Sequence, residues 1–208
     1  HYPLRRQRQM CIRDSCRADR ALRSVVFALL GLMLLGSAHA QSNTVASPNA
    51  SFSRPEVAAL GGVVPTAPVR LRVWGFEVYD ARLWTPRGFR HSQAMQHPFA
   101  LELQYLRKLE GSAIASRSIE EMRRLGSFSE AQAQSWLTAL RELFPNVGQG
   151  ERITGINVPG VGAEFWVNGQ RAGVVKDETF ARLFFGIWLD ERTSEPKMRA
   201  QLLQGLQP

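Results

Sequence analysis

Four side chains on three predicted strands could form a clamp for an anion. Arg70 and Arg72 flank Leu71 on one strand. Tyr79 lies on the next strand and Tyr105 on a third. A guanidinium offers a rigid fork of donors to a carboxylate or phenolate, and a phenol adds one more donor. We therefore predict that these two arginines and two tyrosines bind a ligand.

The same residues also fit a purely structural interpretation. Arginines on strands commonly lie on the solvated face, with their stems covering apolar surface. The tyrosines could be core aromatics whose hydroxyls are satisfied. Arg72 and Tyr79 are seven residues apart, so a regular strand would place them on opposite faces, whereas a bulge at Gly75 would reset the alternation. Whether Arg70 or Arg72 faces a cleft stays open at this point.

Sequence motifs of hydrolase, nucleotide-binding and metal sites do not occur in the sequence. It contains no GxSxG elbow and no Walker loop. His91 and His97 lack the HxxxH spacing of a metal site. The glycines around Val161 lack the third Gly and the following helix of a dinucleotide loop. We therefore predict no metal, no cofactor and no catalytic residue.

The first 40 residues read as targeting sequence. Residues 17–40 combine three arginines, an apolar run at 25–35 that is too short to span a bilayer, and Ala38-His39-Ala40 as a cleavage site. We predict a signal peptide, a mature chain that begins at Gln41 without a stable membrane span, and a periplasmic or secreted location. Residues 1–16 resemble translated adapter sequence and are interpreted as a non-native leader.

The net charge of the chain depends strongly on residues 1–40. The whole chain has 26 basic and 18 acidic residues, but residues 1–40 hold seven Arg and two Asp, which leaves 19 basic and 16 acidic residues, a net charge of +3. No basic run with interleaved aromatics follows, so a nucleic-acid partner is not expected. Cys11 and Cys16 both lie in this region, so the remainder can form no disulfide.

The remainder divides into a flexible linker at 41–53 and one domain at 54–208. Turn and cap residues mark the ends of elements in the domain. Asn168-Gly169 suits a hairpin turn, Ser129 with Gln132 suits a capping box, and Asp177 and Ser194 suit helix N-caps. Hydrophobic periodicity predicts strands at 69–74, 76–84, 99–106, 152–158, 164–167 and 171–176, and helices at 54–60, 112–125, 129–144, 177–189 and after 194. This order predicts an antiparallel sheet with helices on one face.

Three stretches of the sequence resemble the chalcone isomerase-like family. They are GFEVYDARLW from Gly75, LELQYLRKLEGSAIASRSIEEMRRLG from Leu101, and NGQRAGVVKDETFARLFFGIWLDERTSEPKMRAQLL from Asn168. The resemblance implies an α+β fold, the open-faced β-sandwich of this family, with an antiparallel sheet covered on one face by helices.

The resemblance also implies site residues. In the family an Arg at the start of the first core strand holds the ligand's negative oxygen; Arg72 is the nearest match here and Arg70 the rival. The isomerases add a Thr where Tyr79 stands, a Tyr and an Asn on the helix at 112–121, and a Thr or Ser where Phe180-Ala181 stands. This chain lacks those donors.

These departures favour a non-catalytic, exported binder of a fatty acid or similar amphipathic anion. The alternatives are an isomerase that cyclises a chalcone-like substrate and a cell-envelope interaction protein without a small ligand.

Overall fold

A computed structural model describes residues 54–208. The predicted leader, signal peptide and linker lie outside the described residues. The strands are β1 (Val63–Pro65), β2 (Val69–Val73), β3 (Phe76–Pro86), β4 (Phe99–Tyr105), β5 (Arg152–Val158), β6 (Gly162–Val167) and β7 (Gln170–Val175). The helices are α1 (Pro55–Ala58), α2 (Gly111–Leu125), α3 (Glu130–Leu143), α4 (Glu178–Leu189) and α5 (Pro196–Leu202), with a 3₁₀ helix at His91–Gln96.

The strands form one antiparallel sheet of seven strands in the order β1-β3-β4-β5-β6-β7, with β2 also paired to β3. β1 lies beside residues 84–86 of β3, and β2 lies beside residues 76–81 of the same strand. The two short strands therefore share one edge of β3. The predicted α+β architecture, an antiparallel sheet covered on one face by helices, is confirmed.

Two-residue turns close the two shortest hairpins. Asn168 and Gly169 have φ values of 51° and 83° and join β6 to β7, which confirms the predicted turn. Trp74 and Gly75 have nearly the same values, 49° and 84°, and join β2 to β3. Positive φ at both central residues is the signature of a type I′ turn, whose twist matches that of the flanking strands.

The two predicted strands are separated at Gly75, which belongs to the turn. The bulge that changes the alternation lies elsewhere in the β2–β3 hairpin. The pairing register shifts between Leu71, which faces Tyr79, and Arg72, which faces Glu77. Val78 lies between the two paired residues of β3 and has no partner on β2. It is therefore the extra residue of a β-bulge.

Side-chain caps fix two of the helix starts. Ser129 and Gln132 form the predicted capping box at α3. Asp177 accepts a hydrogen bond from the backbone N–H of Phe180 at the start of α4, as predicted. The prediction that Ser194 caps the last helix was wrong. The N-cap of α5 is Glu195, whose backbone N–H donates to the hydroxyl of Thr193.

The main core lies between the sheet and helices α2 to α5. Aromatic side chains dominate the half of the core under the first turns of α4. Phe165 of β6 lies with its ring centroid 5.1 Å from that of Phe144 and 5.1 Å from that of Phe184, and Phe180 stacks on Phe184 at 5.4 Å. Of the described residues, no helix has both the length and the apolar character that a bilayer crossing requires.

The other face of the sheet is covered only in part, by α1 and the chain that follows it. There Val57 packs with Ala100 and Ile156 in a small second cluster. Next to this cluster the carboxylate of Glu102 accepts hydrogen bonds from Arg54, and Arg152 lies 3.6 Å away. This face therefore buries charges in pairs.

Candidate functional site

A cavity of about 340 Å³ lies between the sheet and the helices, at the β2–β3 end of the core. Its size falls within the range of about 300–1,000 Å³ that is typical of small-molecule sites. Its walls come from strands β2 to β5 and helices α2 and α4. The lining residues are Leu71, Val73, Val78, Tyr79, Leu103, Tyr105, Leu109, Ala113, Ile114, Arg117, Ser118, Glu121, Phe144, Ile153, Phe184, Ile187, Trp188, Ser194 and Glu195.

Helix α4 explains why the cavity lies at this end. The first half of α4 places Phe180 and Phe184 against Phe165, where stacked and edge-on rings fill the space. Ile187 and Trp188 follow near the end of α4 and line the cavity together with Phe184, and the Trp188 indole donates to Tyr79 of β3. One apolar helix thus fills the core with its first turns and forms a wall of the cavity with its last ones.

Two phenols lie inside the cavity, as cross-strand partners on β3 and β4. The ring centroids of Tyr79 and Tyr105 are 6.0 Å apart, edge to face. The Tyr79 oxygen accepts a hydrogen bond of 3.0 Å from the indole N–H of Trp188, which leaves the phenol proton available as a donor. Burial raises the pKa of both hydroxyls, and the carboxylates of Glu195 and Glu121 raise the pKa of Tyr79 further. Both phenols therefore stay protonated at neutral pH and can donate to a ligand oxygen.

Exposed residues among the lining mark the mouth of the cavity. They are Val73 on β2, Ala113 and Arg117 on α2, and Glu195 before α5. The Arg117 guanidinium contacts the carboxylates of Glu121 and of Glu120, the latter at 3.2 Å. Among the described lining residues Arg117 is the single cation and Glu121 and Glu195 are the carboxylates, so a negatively charged head group would have to bind at the Arg117 guanidinium beside these two acidic side chains.

The structure brings the two predicted tyrosines together and leaves the two predicted arginines elsewhere. Leu71 lines the cavity, and its neighbours Arg70 and Arg72 are not among the lining residues. Arg70 forms a bidentate pair with Asp80, at 2.7 and 2.8 Å. Arg72 pairs with Glu77 at 2.8 Å, and Arg70 reaches the same carboxylate at 2.9 Å. A ligand-binding role for either arginine stays a prediction, and it would require the side chain to leave these pairs.

A metal-binding arrangement is not found in this part of the molecule. Within residues 54–208, no group of three or more His, Cys, Asp or Glu side chains could hold an ion. The site that the described residues offer is a mainly apolar cavity whose polar groups include two phenols, one guanidinium and the carboxylates of Glu121 and Glu195.

The chain matches a known protein family over most of the described residues. The model of the family described as "Chalcone isomerase-like" matches residues 66–204, which include every strand that borders the cavity and both helices that cover it. The chain belongs to the chalcone isomerase-like family. An uncharacterized protein from Haemophilus influenzae is 30% identical to it over 131 residues, which are 62% of this chain. The chain spans 63% of the length of that relative.

A solved structure supports the same fold. The crystal structure of a fatty-acid binding protein from Arabidopsis thaliana superposes with a TM-score of 0.53 at 15% sequence identity. The match covers 69% of this chain and 87% of that chain. At this identity the likeness shows that the chalcone isomerase-like fold is shared.

The part of the site that α2 contributes was not predicted from the sequence. Ile114, Arg117, Ser118 and Glu121 have the spacing i, i+3, i+4, i+7, so they share one face of the helix. A polar residue within a stripe that should face the core is the signal that could have identified them. Glu121 is the clearest case, because it is a buried carboxylate next to the cavity.

Proposed function

We propose that this chalcone isomerase-like domain binds one molecule of an amphipathic ligand, such as a fatty acid, and does not convert it. The observation that carries the proposal is the cavity itself: about 340 Å³, lined mainly by apolar side chains, with two protonated phenols inside and one guanidinium at the mouth. The printed name of the Arabidopsis protein supports fatty acids as the first class to test.

The ligand would lie with its hydrocarbon chain inside and its head group at the mouth. Leu103, Ile153 and Ile187 offer the apolar contacts. Arg117 has five donors, and one of its present partners, Glu120, is 64% exposed, so a ligand carboxylate can replace Glu120 at small cost. The O–H groups of the two tyrosines can donate to an oxygen further along the ligand.

A panel of matched ligands tests the proposal. Displacement of a fluorescent fatty acid is measured with a fatty acid, the alcohol of the same chain length and the methyl ester. We expect saturable binding with one site, and tighter binding of the acid than of the two neutral ligands, because the acid alone can pair with Arg117. Native mass spectrometry of the purified protein should show a co-purifying lipid of the same class.

Blocking the mouth provides the structural control. Ala113 is an exposed lining residue on α2, and Ala113→Phe should place a ring in the opening. Ala131→Phe puts the same ring at an exposed site on α3 outside the lining. We expect Ala113→Phe to weaken binding by about tenfold or more, equivalent to about 1.4 kcal/mol, and Ala131→Phe to leave binding unchanged. Equal affinities of the two variants, or loss of a chalcone absorbance band on incubation with the protein, would contradict the proposal.

We also propose that residues 17–40 direct export and are removed before Gln41. The support is the sequence pattern of a basic start, a short apolar run and a small-residue cleavage site. Intact-mass measurement of the protein from the periplasmic fraction of an expressing bacterium tests this. A mass that matches a chain beginning at Gln41 is expected, and an uncleaved chain retained in the membrane fraction would contradict it.

A further inference from the structure

The tip of the β2–β3 hairpin exposes three large apolar residues that are close together in the chain. The exposed fraction is 41% for Val73, 94% for Trp74 and 61% for Phe76. These three neighbours are among the five large hydrophobic residues that are exposed in residues 54–208; the other two, Val64 and Val161, lie at separate places in the chain. Single exposed apolar residues are normal on protein surfaces, whereas a contiguous group marks an interaction site.

The turn geometry does not account for Trp74. The β6–β7 turn has the same two φ values within 2°, and there the first position is Asn168. Asn168 contributes to its hairpin, because its side chain accepts from the backbone N–H of Arg152 and donates to Glu151. A bulky residue at positive φ is strained, and an Asn is the preferred residue. The tip therefore carries an indole at a position where local structure favours a different residue.

Positive charge lies beside this apolar tip. The two arginines and two carboxylates of the hairpin pair among themselves. The loop after β4 adds Arg107, whose guanidinium lies 5.2 Å from the centroid of the Phe76 ring, and the exposed Lys108. Tryptophan concentrates at membrane–water interfaces, and adjacent Lys and Arg are attracted to anionic head groups. The combination of an exposed indole, a phenyl ring and two cations fits a lipid surface.

The tip also adjoins the mouth of the cavity. Val73 precedes Trp74 and lines the cavity, as does Val78, two residues after Phe76. We propose that the hairpin tip docks on a lipid surface with anionic head groups, with Trp74 and Phe76 in the interfacial layer and Arg107 and Lys108 at the phosphates. The mouth then faces the membrane. Docking does not depend on what the cavity binds. Exchange of a ligand between the cavity and the membrane would be its purpose, and this purpose rests on the proposed function.

Vesicle binding of a hairpin variant tests the proposal. Trp74→Asn creates the Asn-Gly pair that a type I′ turn prefers, and Phe76→Thr keeps a residue that suits a strand, so the double variant should fold. The matched control removes two exposed apolar side chains elsewhere, Val64→Thr with Val161→Asn. Circular dichroism and thermal unfolding confirm that all proteins are folded.

Co-sedimentation is measured with vesicles of phosphatidylcholine alone and of phosphatidylcholine mixed with phosphatidylglycerol. We expect the wild type and the control to bind the mixed vesicles better, with binding reduced by added salt, and the hairpin variant to lose on the order of tenfold in partitioning. Tryptophan emission of the wild type should shift to the blue on binding, and that shift should be lost in the hairpin variant.

Three results would overturn the docking proposal. The first is a wild type that does not bind the mixed vesicles, and the second is a hairpin variant that binds them as well as the wild type. The third is a concentration-dependent dimer, seen by analytical ultracentrifugation, that the hairpin variant abolishes, since a second copy of the chain would then occupy the tip. The ligand panel in solution stands apart from these results. Absence of ligand binding there would overturn the proposed function and leave the docking result intact.

Discussion

The two faces of the sheet handle polar groups in opposite ways. On the face that α2 and α4 cover, the side chains are apolar, and the phenols of Tyr79 and Tyr105 remain as donors that a ligand can reach. On the other face, arginines and carboxylates on neighbouring strands pair with each other, as Arg70 does with Asp80. An arginine on a strand therefore indicates a binding site only when its face is known, and an error of one residue in register exchanges the two faces.

The largest expected difference between the faces lies at two adjacent residues of β6. Phe165 is fully buried among the rings under α4, and Trp166 points to the other face, where it is half-buried. Phe165→Ala should lower the free energy of unfolding by about 3–5 kcal/mol, because it opens a cavity in the main core. Trp166→Ala should cost about 1 kcal/mol. Urea unfolding of both variants measures this, and equal costs would show that both faces contribute equally to the core.

The face of the sheet that α2 and α4 do not cover, here called the outer face, carries both a buried and an exposed ion pair. Glu102 is 3% exposed and accepts from Arg54 beside Arg152. Glu102→Gln removes the charge that these guanidinium groups face and should cost about 3 kcal/mol. Glu77 on the same face is 41% exposed and pairs with arginines in solvent. Glu77→Gln should cost much less, because solvent screens this pair. Chemical unfolding of the two variants separates these outcomes, and similar losses would mean that burial does not set the strength of these pairs.

Ligand affinity distinguishes Arg117 on α2, at the mouth of the cavity, from Arg70 and Arg72 on β2. Arg117→Gln should weaken fatty-acid binding by about tenfold and leave the alcohol unaffected, since the alcohol has no charge for the guanidinium to pair with. The double variant Arg70→Gln and Arg72→Gln should change the affinity by less than about twofold, because both side chains pair outside the cavity lining. The displacement assay with both ligands measures this. The opposite order of effects would assign the anion to the strand arginines, as the sequence alone predicts.

Local patterns in the sequence predicted most of the fold. The capping box at Ser129, the N-cap at Asp177 and the Asn168-Gly169 turn each use a side chain or backbone preference that acts within four residues. The strand at 152–158 was predicted with the bounds that the structure shows. Each of these features depends on near neighbours, so one sequence is enough to identify it.

The site was predicted less well because it depends on register and on distant contacts. The extra residue at Val78 shifts the β2–β3 pairing, and no composition signal at that position indicates a bulge. The cavity forms where strands β2 to β5 meet α2 and α4, so its lining joins residues from 71 to 195. Tyr79 and Tyr105 line the cavity because β3 and β4, the strands predicted to carry them, form part of its wall. Arg117 was missed because its helix was judged by its apolar residues alone.

The smallest expected effect is the pH dependence of the exposed pair between Asp80 and Arg70. Hydrogen bonds from the Arg70 guanidinium lower the pKa of Asp80 below its usual 3.8 in the folded protein. The contribution of this pair to stability is therefore complete above the unfolded pKa and is lost as the pH falls through the lower, folded pKa. Asp80→Asn should reduce the free energy of unfolding by at most about 1 kcal/mol at pH 7, since Arg70 is 37% exposed and solvent screens the pair. Urea unfolding from pH 7 down to acid should show a constant difference between wild type and variant above about pH 5 and a shrinking one below about pH 4. A difference that grows on acidification would mean that the folded protein favours the protonated form of the Asp80 carboxyl. This face of the sheet would then disfavour the carboxylate and would not stabilise it through Arg70.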